Sequence, residues 1–174
     1  MCSNYRSMMA AAACMLLLSG CDTQLMKDDD ALISEWRAAA EQTDECVANA
    51  KATDVYLRLE LRLVLFPGQD PRAALKTGIA GAITPEEKAD LLAWLPMIDQ
   101  CREIRLEAAR RLFPSIASVL SAGQSDVDTL FGYLADQQLG VGDFNTRFIQ
   151  ENEKVLAELR TAEAQLNLSP SGQP

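Results

Sequence analysis

Apolar side chains return along most of this chain at steps of three and four residues, the period of a helix with one buried face. Leu32, Ile33, Trp36, Ala40, Thr43, Val47 and Ala50 follow that step, so residues 29–50 are predicted to form an amphipathic helix, with Cys46 on or beside its apolar face. The next stretch departs from the pattern. Leu57, Leu59, Leu61 and Leu63 alternate with Arg58, Glu60 and Arg62, as a half-buried strand would. Leucine and arginine also favour helices, and a lone strand would leave its backbone groups unsatisfied. Residues 56–65 are therefore read as helix, ended by Phe66-Pro67-Gly68. Asp70-Pro71 has the chemistry of a helix start, aspartate as cap and proline in the first turn, and Gly78 and Gly81 close that short helix.

Thr84-Pro85-Glu86-Glu87 is the sharpest start signal in the chain: a capping threonine, proline at the first helical position and a glutamate that completes a capping box. The helix it opens meets Pro96, which is expected to kink or divide it. Beyond that point Ile98, Cys101, Arg105, Ala108 and Leu112 share one face, and Pro114 marks a further bend. Ala122-Gly123-Gln124 is expected to end the next segment, with Ser125 capping a helix that turns Val127, Leu130, Phe131 and Leu134 inward. Residues 139–143, Leu-Gly-Val-Gly-Asp, read as a turn ending in a cap. A long last helix over 144–167 then carries Phe148, Val155, Leu159, Ala162 and Leu166 as a stripe, the seam of an antiparallel bundle rather than of a coiled-coil dimer. The pattern predicts an all-α protein: a compact antiparallel bundle of five to six helices over residues 31–168, with a disordered tail at 169–174.

The first twenty residues follow none of these periods. Arg6 is their only charge, and Met8 to Leu18 is an unbroken run of Met, Ala, Cys and Leu. Eleven apolar residues are too short to span a bilayer, which takes about 20, but match the core of a secretory signal peptide. The run ends in Leu18-Ser19-Gly20-Cys21. This start resembles that of bacterial lipoproteins, and the four residues resemble their lipobox. The resemblance covers residues 1–21 only. It implies cleavage between Gly20 and Cys21, a diacylglycerol on the Cys21 sulfur, and attachment to the lipid bilayer of the cell envelope, facing the periplasm. Asp22 resembles the inner-membrane retention signal of enteric lipoproteins, so the inner membrane is favoured over the outer. Residues 21–30, with Asp22, Asp28, Asp29 and Asp30, read as an acidic tether.

Cleavage changes the cysteine and charge arithmetic. Cys2 and Cys14 leave with the signal and Cys21 carries lipid, so Cys46 and Cys101 remain in the domain. In an oxidising compartment a disulfide between them is the expectation, the alternative being two separate buried thiols. Its loop of about 55 residues would contribute roughly 4 kcal/mol in the chain-entropy model. The whole chain, 174 residues long, carries 25 acidic and 16 basic side chains, a formal charge of −9. Arg6 is lost with the signal and no acid goes with it, which takes the charge to −10. Nucleic acid is therefore excluded as the main partner, because phosphate binding needs clustered Lys and Arg.

Candidate chemistry is sparse. There is no histidine, which removes Ser/His/Asp triads, Cys/His dyads and histidine metal sites. No serine sits in a Gly-x-Ser-x-Gly elbow, and Asp28-Asp29-Asp30 lacks the glycine and closing glutamate of a calcium loop. Gly78 and Gly81 are not followed by the Gly-Lys-Ser/Thr of a phosphate loop. Glu86 and Glu87 are explained by the cap, Arg110-Arg111 by a solvated helix face, and Trp36 and Trp94 by core packing. No catalytic, cofactor or metal residue is assigned, and the chain is read as a non-enzyme. The expected function is a protein-interaction or scaffolding module of the envelope, docking an envelope partner. Size, anchor and disulfide resemble the small helical lipoproteins that escort secretin subunits in assembling secretion complexes. The alternative is a small-ligand binder with a cavity between its helices.

Overall fold

The structure, a computed structural model, describes residues 30–166. Helix α1 covers residues 30–51, followed by α2 (Asp54–Leu59), α3 (Ala73–Lys76), α4 (Pro85–Leu112), α5 (Pro114–Ala135) and α6 (Val141–Gln165). No β-strand occurs among the described residues. The predicted all-α bundle with a long C-terminal helix is what forms, and Cys46 and Cys101 are bridged, with Cα atoms 5.4 Å apart. The signal segment, Gly20, Cys21, the tether as far as residue 29 and the tail at 169–174 lie outside the described residues. Asp30, assigned to the tether, is already helical.

Three long helices make the frame. A single residue, Phe113, separates α4 from α5, and Pro114 opens α5 at a position where its missing N–H costs nothing. Arg102 reaches Asp128 across α4 and α5, and Lys154 reaches Asp126 across α5 and α6. Phe131 packs on Phe148, and Gly123 faces Val155. Numbers rise on one helix as they fall on its neighbour, so each consecutive pair is antiparallel. The buried side chains form two clusters. One gathers Leu59, Leu63, Val64, Leu91, Trp94, Ile98, Phe131, Phe144 and Phe148. The other gathers Trp36, Leu106, Phe113, Ile116, Leu159 and Ala162. α1 contributes to both, with Trp36 in the second and Cys46 and Val47 against the first.

Several local expectations are corrected. Gly123 does not end a helix; α5 runs through it from Pro114 to Ala135. The glycine is there for proximity, since a Cβ at 123 would lie 2.5 Å from Val155 Cγ2 on α6. Pro96 does not divide α4. It lies on the exposed face, where water can take the bond its absent N–H leaves open, and buried Trp94 and Ile98 hold the helix on either side. The 139–143 segment is only partly turn, because α6 begins at Val141. Its first N–H groups find acceptors in the 77–81 loop: Val141 donates to the Gly81 carbonyl at 2.9 Å and Gly142 to that of Ile79 at 3.0 Å. A Cβ at 142 would come 2.7 Å from the Ile79 oxygen, so glycine is required there. Asp70 accepts from the Arg72 N–H at 2.9 Å, but helix proper starts only at Ala73. The Thr84 capping box forms as predicted.

The largest correction concerns residues 56–65. Helix α2 stops at Leu59, and Leu63 to Phe66 is neither helix nor paired strand. Leu63, Val64 and Leu65 are all buried, so their backbone groups need partners. Side chains supply them. Asn145 on α6, wholly buried, accepts from the Val64 N–H and donates to the carbonyls of Arg62 and Lys76. Lys76, 4% exposed, donates to the carbonyls of Glu60 and Leu63 and to Asp70 Oδ2 at 2.5 Å. Arg58 and Arg62 pair with Asp90 and Glu87, which fastens this region to α4.

Candidate functional site

Where the two core clusters meet, they do not fuse. A cleft of about 310 Å³ opens between α1, α4, α5 and α6. Val47, Ile98, Val127 and Phe148 wall it on the side of the first cluster, and Leu106 and Leu120 on the side of the second. Gly123 and Val155 form one edge, where the close approach of α5 and α6 fixes the wall. The volume sits at the lower end of the range of about 300–1,000 Å³ typical of small-molecule sites.

The polar groups of the cleft are few and of one kind. Thr43, Gln124 and Asn152 are neutral, Arg102 and Arg105 are cationic, and no carboxylate lines it. Both arginines are held from outside. Arg102 donates through Nη1 to Asp99 at 3.2 Å and to Asp128 at 3.0 Å. Burial pushes the Asp99 carboxyl above its ordinary range, assisted by the neighbouring Asp128 charge and opposed by Arg102. Arg105 donates through Nη2 to Glu163 at 3.2 Å, and its guanidinium carbon lies 4.8 Å above the centre of the Trp36 ring. One wall therefore carries two fixed positive charges on successive turns of α4.

The residues singled out in the sequence fall around this cleft. Cys46 and Cys101 staple α1 to α4, and their neighbours Val47, Ile98 and Arg102 line it. Trp36 and Trp94 are buried, as expected of core residues. Arg110 pairs with Glu103 and Arg111 with Glu35, so neither faces the cleft. Arg105 was visible in the sequence as a charge on an apolar helix face; Arg102, Asn145 and the contact made by Gly123 carried no such signal. A second, shallower groove of about 260 Å³ lies between α4 and α5. It has Leu92, Leu95, Phe131, Gly132 and Ala135 along it and Asp99 and Asp128 at its rim. Leu92 is 53% exposed, and a Cβ at Gly132 would meet nothing.

Among the described residues no group of three or more His, Cys, Asp or Glu side chains is placed to hold a metal ion, and no helix is long and apolar enough to cross a membrane. Comparison with protein-family models, with curated proteins and with solved structures gives no match.

Proposed function

We propose that this protein is a lipoprotein of the bacterial cell envelope whose helical domain binds a small, mainly apolar ligand in the cleft between α1, α4, α5 and α6. It is a binding protein, not an enzyme. Acylation at Cys21, after cleavage at Gly20, holds it to the membrane on the periplasmic side, with Asp22 favouring the inner membrane. Two or three acyl chains on one cysteine make release very slow, because each buried methylene contributes about 0.8 kcal/mol. The lipobox motif supports the anchor. The cleft at the junction of the two core clusters carries the ligand reading, since a bundle with no binding task gains stability by closing such a gap. Titration with a neutral polarity-sensitive dye tests it. One equivalent is expected to bind the native chain, and Thr43→Trp, which fills the cleft, is expected to abolish binding; binding unchanged in that variant refutes the reading. For the anchor, Cys21→Ser is expected to end palmitate incorporation.

A second reading keeps the interaction module, on one observation: the apolar groove between α4 and α5 with acidic rim residues. Its complement is a basic amphipathic helix of an envelope partner, the part an assembly escort would play. A photo-cross-linker at Leu92 is expected to give one discrete adduct in cells, lost on Gly132→Arg and weakened by salt. An adduct indifferent to both changes counts against it.

A further inference from the structure

The charge inside the central cleft runs against the charge of the chain, and this says what head group its ligand carries. The inference rests on the ligand reading of the cleft given above. Acidic side chains outnumber basic ones 25 to 16 in the sequence, yet the cleft is lined by two arginines and no acid. We infer that the cleft takes an anionic amphiphile: a single apolar chain or ring lying against Ile98, Val127 and Phe148, with a carboxylate held by Arg102 and Arg105.

Three features support that class. First, the arginines are positioned before any ligand arrives. Asp99 and Asp128 hold Arg102, while Glu163 and the Trp36 ring hold Arg105, so little side-chain freedom is left to lose on binding. Second, each uses only one nitrogen in its bonds among the described residues, Nη1 in Arg102 and Nη2 in Arg105. A guanidinium has five N–H donors in a planar fork that matches a carboxylate, so capacity remains on both. Third, the carboxylates that anchor them stand outside the lining of the cleft and do not face an incoming anion within it. A two-chain phospholipid is too large for 310 Å³, so a single chain or a small aromatic acid is the fitting body.

The test compares two probes that differ only in the head, decanoate and decanol, by calorimetric titration below their aggregation limits. The full mature chain carries Cys21→Ser, so that no acyl anchor competes. Decanoate is expected to bind as one equivalent, about tenfold or more tighter than decanol, from charge-assisted hydrogen bonds, and to weaken with salt. Arg102→Gln and Arg105→Gln are each expected to weaken decanoate about tenfold while leaving decanol unchanged. Lysine at either position is expected to restore only part, lacking the planar fork. Equal affinity for the two probes overturns the anionic assignment and leaves the cleft reading standing. Failure of both probes overturns the two together, and decanoate binding that survives Thr43→Trp places the anion elsewhere and overturns the assignment. Arg105 also packs on Trp36; if Arg105→Gln does not fold, Arg102→Gln and the unmodified decanoate–decanol comparison decide the matter.

Discussion

The side-chain oxygen of Asn145 accepts the backbone N–H of Val64 at 2.8 Å, across 81 positions of sequence. The same amide donates at 2.8 Å to the Arg62 carbonyl and at 2.9 Å to that of Lys76. One side chain thus does for the 62–64 segment what a neighbouring strand does in a sheet. Asn145→Ala leaves three backbone groups in the interior without that partner, each costing about 1–3 kcal/mol where water cannot enter. The expected loss is about 3 kcal/mol or more, read as a lower urea midpoint. A variant that unfolds at the wild-type midpoint would show that the amide does not hold the segment.

Gly123 sets the distance between α5 and α6. A methyl group there meets the two γ-carbons of Val155 and, within reach, little else. Gly123→Ala is expected to cost about 1–3 kcal/mol by overpacking, despite the better helix propensity of alanine. Adding Val155→Ala removes the obstructing methyls and is expected to recover part of that loss. Strict additivity of the two changes in denaturant unfolding would place the strain elsewhere.

The Cys46–Cys101 bridge closes a loop with a sequence separation of 55. Replacing both by serine is expected to lower stability by up to about 4 kcal/mol. In the native oxidised protein neither sulfur is expected to react with a thiol reagent until reductant is added. Prompt labelling of Cys46 without reductant would contradict the bridge.

Burial pushes the Tyr56 phenol from 10.0 up to about 12, with help from the Glu60 charge, a hydrogen bond to Glu60 and the Asp70 charge. In the unfolded chain the phenol ionises first, so the unfolded state sheds protons earlier as pH rises. The contribution is complete below about pH 10 and is lost as the pH climbs toward about 12. Urea midpoints measured across that window are expected to fall more steeply for the wild type than for Tyr56→Phe. Parallel slopes would remove Tyr56 as the cause.

Local signals in the sequence located most of the frame. The Thr84 cap, the Pro114 bend, the inward stripe from Val127 to Leu134 and the pairing of Cys46 with Cys101 all appear where their chemistry puts them. The misplaced boundaries share one physical origin. Glycine breaks a helix by default because it is flexible, but at Gly123 and Gly142 its smallness is what counts, and smallness matters only against a neighbour from elsewhere in the chain. Leu61 to Leu65 alternated like a strand because the segment is extended in part; its partners, Asn145 and Lys76, are polar side chains that no periodicity announces. The cleft was legible only as a charged Arg105 on an apolar face, since its walls come from four helices.

The carbonyls of Ile79 and Gly81 close the start of α6, and Asn145 in turn closes the segment around Val64. Neither half is complete without the other, and the second half is the last of the chain to be made. A growing polypeptide that has not yet reached residue 145 keeps its middle third open to water, whatever helices have formed. Such a chain stays threadable until its final stretch arrives, which suits a molecule that must pass through a membrane pore before it folds.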